Sequence, residues 1–190
     1  MTGRHTLYPA RHAGYLTGWV RRLLRPPARI LGPYIRAGDT LLDLGCGPGY
    51  FSVPMAQMVG DSGMVIAADI QEEMLVLCRE AAEREGVASR IRYHRTAAES
   101  LALDLPPVLS FTLAFHVLHE TADPGAILGE VHRFTRPSGL LLIAEPVGIV
   151  GSGEFRGTIG MAVRARFTLV NRPFILLSRA ALLQKGPAGV

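Results

Sequence analysis

Thr40-Leu41-Leu42-Asp43-Leu44-Gly45-Cys46-Gly47-Pro48-Gly49-Tyr50-Phe51 is the stretch whose reading decides the fold. Residues 40–44 form a short, mostly apolar run, as a strand in a parallel sheet does. Three glycines follow, and residues 50–59 then read as a short helix, with Pro54 tolerable in its first turn. A strand that runs through glycines into a helix lets another molecule approach the backbone closely, because no Cβ stands in the way. The helix start also offers free N–H groups to a carboxylate or phosphate. Taken alone, such a turn is equally compatible with a corner that only joins a strand to a helix.

The second apolar run, residues 64–69 (MVIAAD), ends in Asp69, twenty residues after Gly49. An acidic residue at that place can accept hydrogen bonds from both hydroxyls of a ribose. The pair of features suits either a dinucleotide or S-adenosylmethionine (SAM), and the glycine spacing separates the two. The turn reads GxGxG, not the GxGxxG that packs a helix against a pyrophosphate. Asp43, just before the first glycine, could serve a positively charged amino-acid ligand but would repel a pyrophosphate.

Outward from this turn the chain alternates short apolar runs with helical stretches, the pattern of βαβ units and a parallel sheet. Residues 71–85 are amphipathic, with Met74, Leu75, Cys78, Ala81 and Ala82 on the inner side and Gly86 as the stop. Strands are expected at 91–95, 109–115 and 140–145, with a helix at 124–135 opening on Pro124 and a turn at Pro137-Ser138-Gly139. A helix at 153–165 and a strand pair around Pro173 complete the chain, and a helical region at 19–34 is interrupted at Pro26-Pro27. At 190 residues this is one domain: an N-terminal segment 1–36, a core 37–146 and a C-terminal helix and strand pair 147–190.

Charge is uneven along the chain. Residues 1–36 carry seven Arg and no acid, residues 37–150 seven basic and fifteen acidic side chains, and residues 151–190 six basic and one acidic. Basic ends can attract an anionic substrate, a membrane surface or nucleic acid, although a solvated surface is the favoured explanation. No apolar stretch has the length of a membrane span, and the start lacks the apolar core of a secretory signal. Cys46 and Cys78 suggest neither a disulfide framework nor a metal knuckle, so a cytoplasmic setting is expected.

LLDLGCGPGYFS (41–52) resembles motif I of class I SAM-dependent methyltransferases, and VIAADIQEEML (65–75) resembles the segment around their ribose-binding acid. ESLAL (99–103), LAFHVLHE (113–120) and RFTRPSGLLLIAEP (133–146) are similar, in order, to the family's adenine loop, fourth-strand region and fifth-strand region. The resemblance implies an α/β, Rossmann-like doubly wound sheet of seven mostly parallel strands, the last one antiparallel, with helices on both faces. It implies that Leu44, Gly45, Cys46, Gly47 and Gly49 line the methionyl part of SAM, and that Asp43 orients its amino group. Asp69 would hold the ribose, Ile70 would lie beside the adenine, and Glu99 with Ser100 would reach the adenine amino group. Phe115, His116 and Val117 would close the site near the sulfonium. Two departures stand out: Ser110 replaces a frequent Asp early in the fourth strand, and Arg166 stands where many relatives have Gly.

Methyl transfer needs an in-line nucleophile in a dry pocket and demands no metal; a base is needed only if the acceptor must lose a proton. His116, His119 and Glu120 follow the fourth strand and Glu145 ends the fifth, on the edge where such sheets bind ligands. The expectation is that His116 meets the acceptor with Glu145 behind it and His119 nearby. The rival reading has His119 and Glu120 satisfying a helix start or one another. Tyr15 and Trp19, with arginines around them, would form a lid over the cleft, or Trp19 packs at the sheet edge. The activity expected is methylation of a small molecule, with S-adenosylhomocysteine as product. A nucleic-acid or lipid methyltransferase that grips through the basic ends, and a SAM-binding module without catalysis, are the alternatives.

Overall fold

The computed structural model describes residues 26–106 and 108–187. Seven strands form one sheet: β1 (Thr40–Leu44), β2 (Met64–Asp69), β3 (Ile91–Arg95), β4 (Leu109–Phe115), β5 (Thr135–Pro146), β6 (Phe167–Asn171) and β7 (Ser178–Lys185). Their order is β3-β2-β1-β4-β5-β7-β6. The first five pair in parallel, and β7 is inserted antiparallel between β5 and β6. This is the doubly wound sheet expected from the sequence. The chain walks outward from β1 to β3 and then returns to lay β4 on β1's other side. That reversal opens a crevice at the C-terminal ends of β1 and β4, where ligands bind in such sheets.

The helices divide between the faces as strand alternation requires. Leu41, Val65, Ala67, Phe111 and Leu113 pack under α1 (Pro27–Leu31), α2 (Ser52–Val59) and α3 (Glu72–Arg84). Leu42, Leu44, Ile66, Ala68 and Ala114 face α4 (Pro124–Phe134) and α5 (Ser152–Arg164) on the opposite side. All seven residues of β4 are buried, which explains its nearly continuous apolar run. Local signals hold where they were strong. In α3, Met74, Leu75, Cys78 and Ala82 are buried at helical spacing, and in α4 Asp123 caps the start by accepting from the Ala126 N–H at 2.9 Å.

One detail departs from the expectations, and two positions that differ from the family pattern find their place. The Pro137-Ser138-Gly139 turn lies inside β5, where pairing jumps from Leu109↔Thr135 to Phe111↔Leu140 and Ser138 takes a φ of 61°. The segment is a bulge in a continuous strand, and its turn residues supply the kink. Ser110 donates to the Thr40 carbonyl at 3.1 Å, so it ties β4 to β1. Arg166 has a φ of 71°, the left-handed conformation that explains why glycine is at home there. Within residues 19–34 the helix described is Pro27–Leu31; the rest of the expected first helix, with Tyr15 and Trp19, lies largely or wholly outside the described residues.

Candidate functional site

The crevice has two halves. On the β1 side, Gly45, Gly47 and Gly49 all have positive φ, but their surroundings differ. A Cβ on Gly45 would come within 2.4 Å of Val117 Cγ2, and one on Gly49 within 2.9 Å of Cys78 Sγ. A Cβ on Gly47 would meet nothing within 4 Å. Two of the glycines therefore permit tight packing against β4's end and against α3. The middle one leaves bare backbone facing free space, as close approach by a ligand requires.

Asp69 sits at the end of β2 with 8% exposure. Its Oδ2 accepts from the Gly47 N–H at 2.9 Å and its Oδ1 from the Gln71 N–H at 3.0 Å. Burial pushes its carboxyl up, and the N–H groups of Gln71, Gly47 and Ile70 oppose that shift. Each carboxylate oxygen has a second lone pair beyond the bond just named. Asp43, buried, accepts from Ser52 Oγ at 2.5 Å, which links the end of β1 to the first residue of α2. Cys46 is buried beside Cys78; a hydrogen bond with that thiol and burial push its own thiol well up. Both cysteines are free, and neither has the exposed, cation-flanked setting of a reactive thiol.

The loop after β3 borders the same crevice. Thr96 N–H donates to the Asp69 carbonyl at 3.0 Å, and Leu101 is anchored through its N–H to Glu130 at 2.9 Å and its carbonyl to His94 at 2.7 Å. Glu99 is exposed on this loop, and Ser100 Oγ accepts from the Ala102 N–H at 2.9 Å. Ser52, Gln71, His94 and Glu130 thus hold the site together. Ser52 and Gln71 fall inside the stretches 41–52 and 65–75, whereas His94 and Glu130 sit within an ordinary strand and helix that no local motif marked.

The second half lies beyond β4. His116 takes a φ of 59°, which costs energy in a non-glycine residue and bends the chain out of the strand. Its ring stacks on Phe115 at 4.3 Å, and its Nε2 shares a hydrogen bond with Ser178 Oγ at 2.9 Å. Val117 follows against Gly45, and a single 3-10 turn at Leu118–Glu120 then carries His119 back over β5. There the His119 Nδ1 lies 2.5 Å from Glu145 Oε2, and its backbone N–H donates to Oε1 at 3.3 Å. Glu145 is 1% exposed. The hydrogen bond to Glu145 raises the His119 pKa above its ordinary value, against the opposing effect of burial. Glu120 Oε1 stands 3.8 Å from His119 Nε2.

The carboxylate expected behind His116 is therefore behind His119. Two residues of irregular backbone decide this: the left-handed His116 sends its ring towards β7, and the turn after it aims His119 at β5. Among the described residues no group of three or more His, Cys, Asp or Glu side chains is arranged to hold a metal ion.

A switch-point crevice, a glycine turn with one open position and a doubly anchored acid on β2 are arranged as in the class I SAM-dependent methyltransferases. Residues 35–170 match the model of the family described as methyltransferase domain, and the chain belongs to that family. The ubiquinone/menaquinone biosynthesis C-methyltransferase UbiE of Enterobacter sp. (strain 638) is 34% identical over 111 residues, 58% of this chain and 44% of that protein. The protein of the same name from Escherichia coli (strain K12 / DH10B) is 33% identical over the same shares. The chain thus spans less than half the length of these relatives. Among solved structures, a SAM-dependent methyltransferase from Aquifex aeolicus superposes with a TM-score of 0.82 at 22% identity, over 93% of this chain and 98% of that one. A methyltransferase from Methanococcus maripaludis covers 100% of this chain and 99% of its own, with a TM-score of 0.76 at 12% identity. These two likenesses concern the fold.

Proposed function

We propose that this chain methylates a carbon atom of a small acceptor that carries an ionisable hydroxyl, using SAM held on the glycine turn. The crevice fits that cofactor: Gly47 leaves bare backbone, and Asp69 keeps acceptor capacity on a carboxylate already fixed at both oxygens. Leu44, Gly45, Cys46, Gly47 and Gly49 would line the methionyl part, with Asp43 serving the amino group. Asp69 would hold the ribose, Ile70, Glu99 and Ser100 the adenine, and Phe115, His116 and Val117 the side nearest the sulfonium. When bound, SAM supplies an electrophilic methyl group and leaves S-adenosylhomocysteine.

The observation that carries the reading is the His119–Glu145 pair, placed two residues from the valine that packs on the cofactor turn. Glu145 fixes His119 Nδ1 as the donor nitrogen, which leaves Nε2 to take a proton. A hydroxyl that loses its proton to Nε2 passes electron density to the neighbouring carbon, which becomes the nucleophile; once methylated, that carbon releases its own hydrogen as a proton, and Nε2 returns one to the oxygen. The hydrogen bond to Glu145 raises the His119 pKa, which strengthens its pull on a proton at Nε2. The name of the 34%-identical relatives, a C-methyltransferase, supports the same chemistry. His116 becomes a positioning residue, stacked on Phe115 and held by Ser178.

The test is release of S-adenosylhomocysteine with SAM and a panel of hydroquinones, phenols, amines and carboxylic acids. Turnover is expected with hydroxylated rings, with the product methylated at carbon. His119→Gln should retain SAM affinity and lose about a hundredfold in turnover, the lower end for a lost general base. Methylation confined to amines or carboxylic acids, or full turnover in His119→Gln, would contradict the proposal. SAM binding with no turnover on any acceptor would favour a binding module.

A further inference from the structure

Apolar residues stand exposed in one place beside the acceptor half. Phe174 is 91% exposed, Ile149 70%, Leu177 57% and Val147 42%. They come from two loops, residues 146–150 after β5 and 172–177 before β7, joined where the Val147 N–H donates to the Leu177 carbonyl at 3.2 Å. Both loops lie at the C-terminal edge of β5, because β7 runs antiparallel to it and begins where β5 ends. The patch continues directly into the chemistry. Glu145 precedes Pro146 and Val147, and Ser178, the partner of His116, follows Leu177.

Arginines flank this patch, with Glu154 the exposed acid just beyond the first loop. Arg172 is exposed two residues before Phe174, and Arg29 of α1 shares with Phe174 the wall of a cavity of about 250 Å³. Ile30, Tyr34 and Leu176 line the same cavity. Residues 151–190 as a whole carry six basic side chains and one acidic. Large exposed apolar side chains with a basic rim match the boundary of an anionic bilayer: the rings and branched chains enter the acyl region while guanidinium groups meet phosphates. A protein partner would need a matching shape and acidic groups; a lipid surface needs only the two properties present here.

We propose that the face formed by residues 146–150 and 172–177 docks on the surface of an anionic lipid bilayer, and that this seats the acceptor crevice against the membrane. The docking stands on the exposed loops and the arginines; that the seated crevice draws its acceptor from the bilayer rests on the methyl-transfer reading above. No helix among the described residues is long and apolar enough to cross a membrane, so the contact intended is peripheral.

Sedimentation of the full chain with phosphatidylcholine vesicles containing about 30% phosphatidylglycerol tests the docking, with SAM titration run alongside. The wild type should co-sediment with these vesicles and lose most binding on pure phosphatidylcholine or at high salt. The variant Phe174→Ser/Leu177→Ser should bind at least tenfold more weakly and retain SAM affinity. Arg172→Gln, a milder change at an exposed position, should weaken binding severalfold. Unchanged binding in both variants would overturn the proposal, as would no binding by the wild type. Self-association removed by Phe174→Ser/Leu177→Ser, with no vesicle binding, would assign the face to a second copy and also overturn it. Vesicle binding with no SAM binding would sink the methyl-transfer reading and leave the docking intact.

Discussion

The end of β1 and the end of β4 face each other across one crevice and are built in different ways. The β1 side is backbone: glycines in left-handed conformations, N–H groups on Asp69, and a buried Ser52–Asp43 bond within nine residues of sequence. The β4 side is side chains brought from afar: His119 meets Glu145 across 26 residues, and His116 meets Ser178 across 62. In the proposed division, the cofactor is common to many reactions and is held by a turn that tolerates little change. The acceptor differs from one methyltransferase to the next, so its side is assembled from positions that can vary without disturbing that turn. Val117 joins the halves by packing on Gly45.

If this division holds, Gly45→Ala should do the most damage. The new methyl meets Val117 Cγ2 at 2.4 Å and the residue must keep a φ of 67°, so about 3 kcal/mol of stability should be lost in denaturant titration. Adding Val117→Ala should recover the packing share of that loss and leave the conformational share. His119→Gln, on the other side, should lose its hundredfold in turnover with SAM affinity retained. The kcat/KM of the wild type should rise with pH through an apparent pKa above 6.5, and this step should vanish in the variant. Stability should show the opposite dependence. A raised histidine pKa contributes fully at acid pH and is lost as pH rises through it, so the gap between wild type and His119→Gln should narrow as pH rises above 6.5.

Gly47→Ala sharpens the comparison within the turn. Its Cβ meets nothing, so only the left-handed conformation is penalised, by about 1–2 kcal/mol. SAM affinity should fall nonetheless, because the methyl occupies the space the ligand approaches through. The smallest effect belongs far from either half. Arg166→Gly should stabilise the protein by up to about 1 kcal/mol in thermal melts, since Arg166 already bears a φ of 71°.

The two halves also differ in how far they can be read from sequence. The glycine turn, Asp69 and the strands of the sheet are legible because regular βαβ geometry ties them to apolar alternation, turn chemistry and a fixed spacing, even where Gly47 and Asp69 stand 22 residues apart. The pairing of Glu145 with His119 is not legible, because it turns on the backbone of His116 and on one 3-10 turn. Sequence places both histidines near the fifth strand's end but does not choose between them. The bulge at residues 136–139 is hidden for a related reason, since Pro137 and Gly139 signal a turn whether or not a strand runs through it. Lys185 shows the same limit: its ammonium donates to the carbonyls of His132 and Thr135, 2.8 Å each, and closes the end of α4 from the last strand.

The most direct measurement is calorimetric titration of SAM into the wild type, Asp69→Ala and His119→Gln under one set of conditions. Asp69→Ala removes a charged acceptor worth roughly 1.5–3 kcal/mol per hydrogen bond, so its Kd should rise at least tenfold. His119→Gln should bind SAM as the wild type does. Equal losses in the two variants, or none in Asp69→Ala, would contradict the assignment of cofactor and acceptor to separate halves of the crevice.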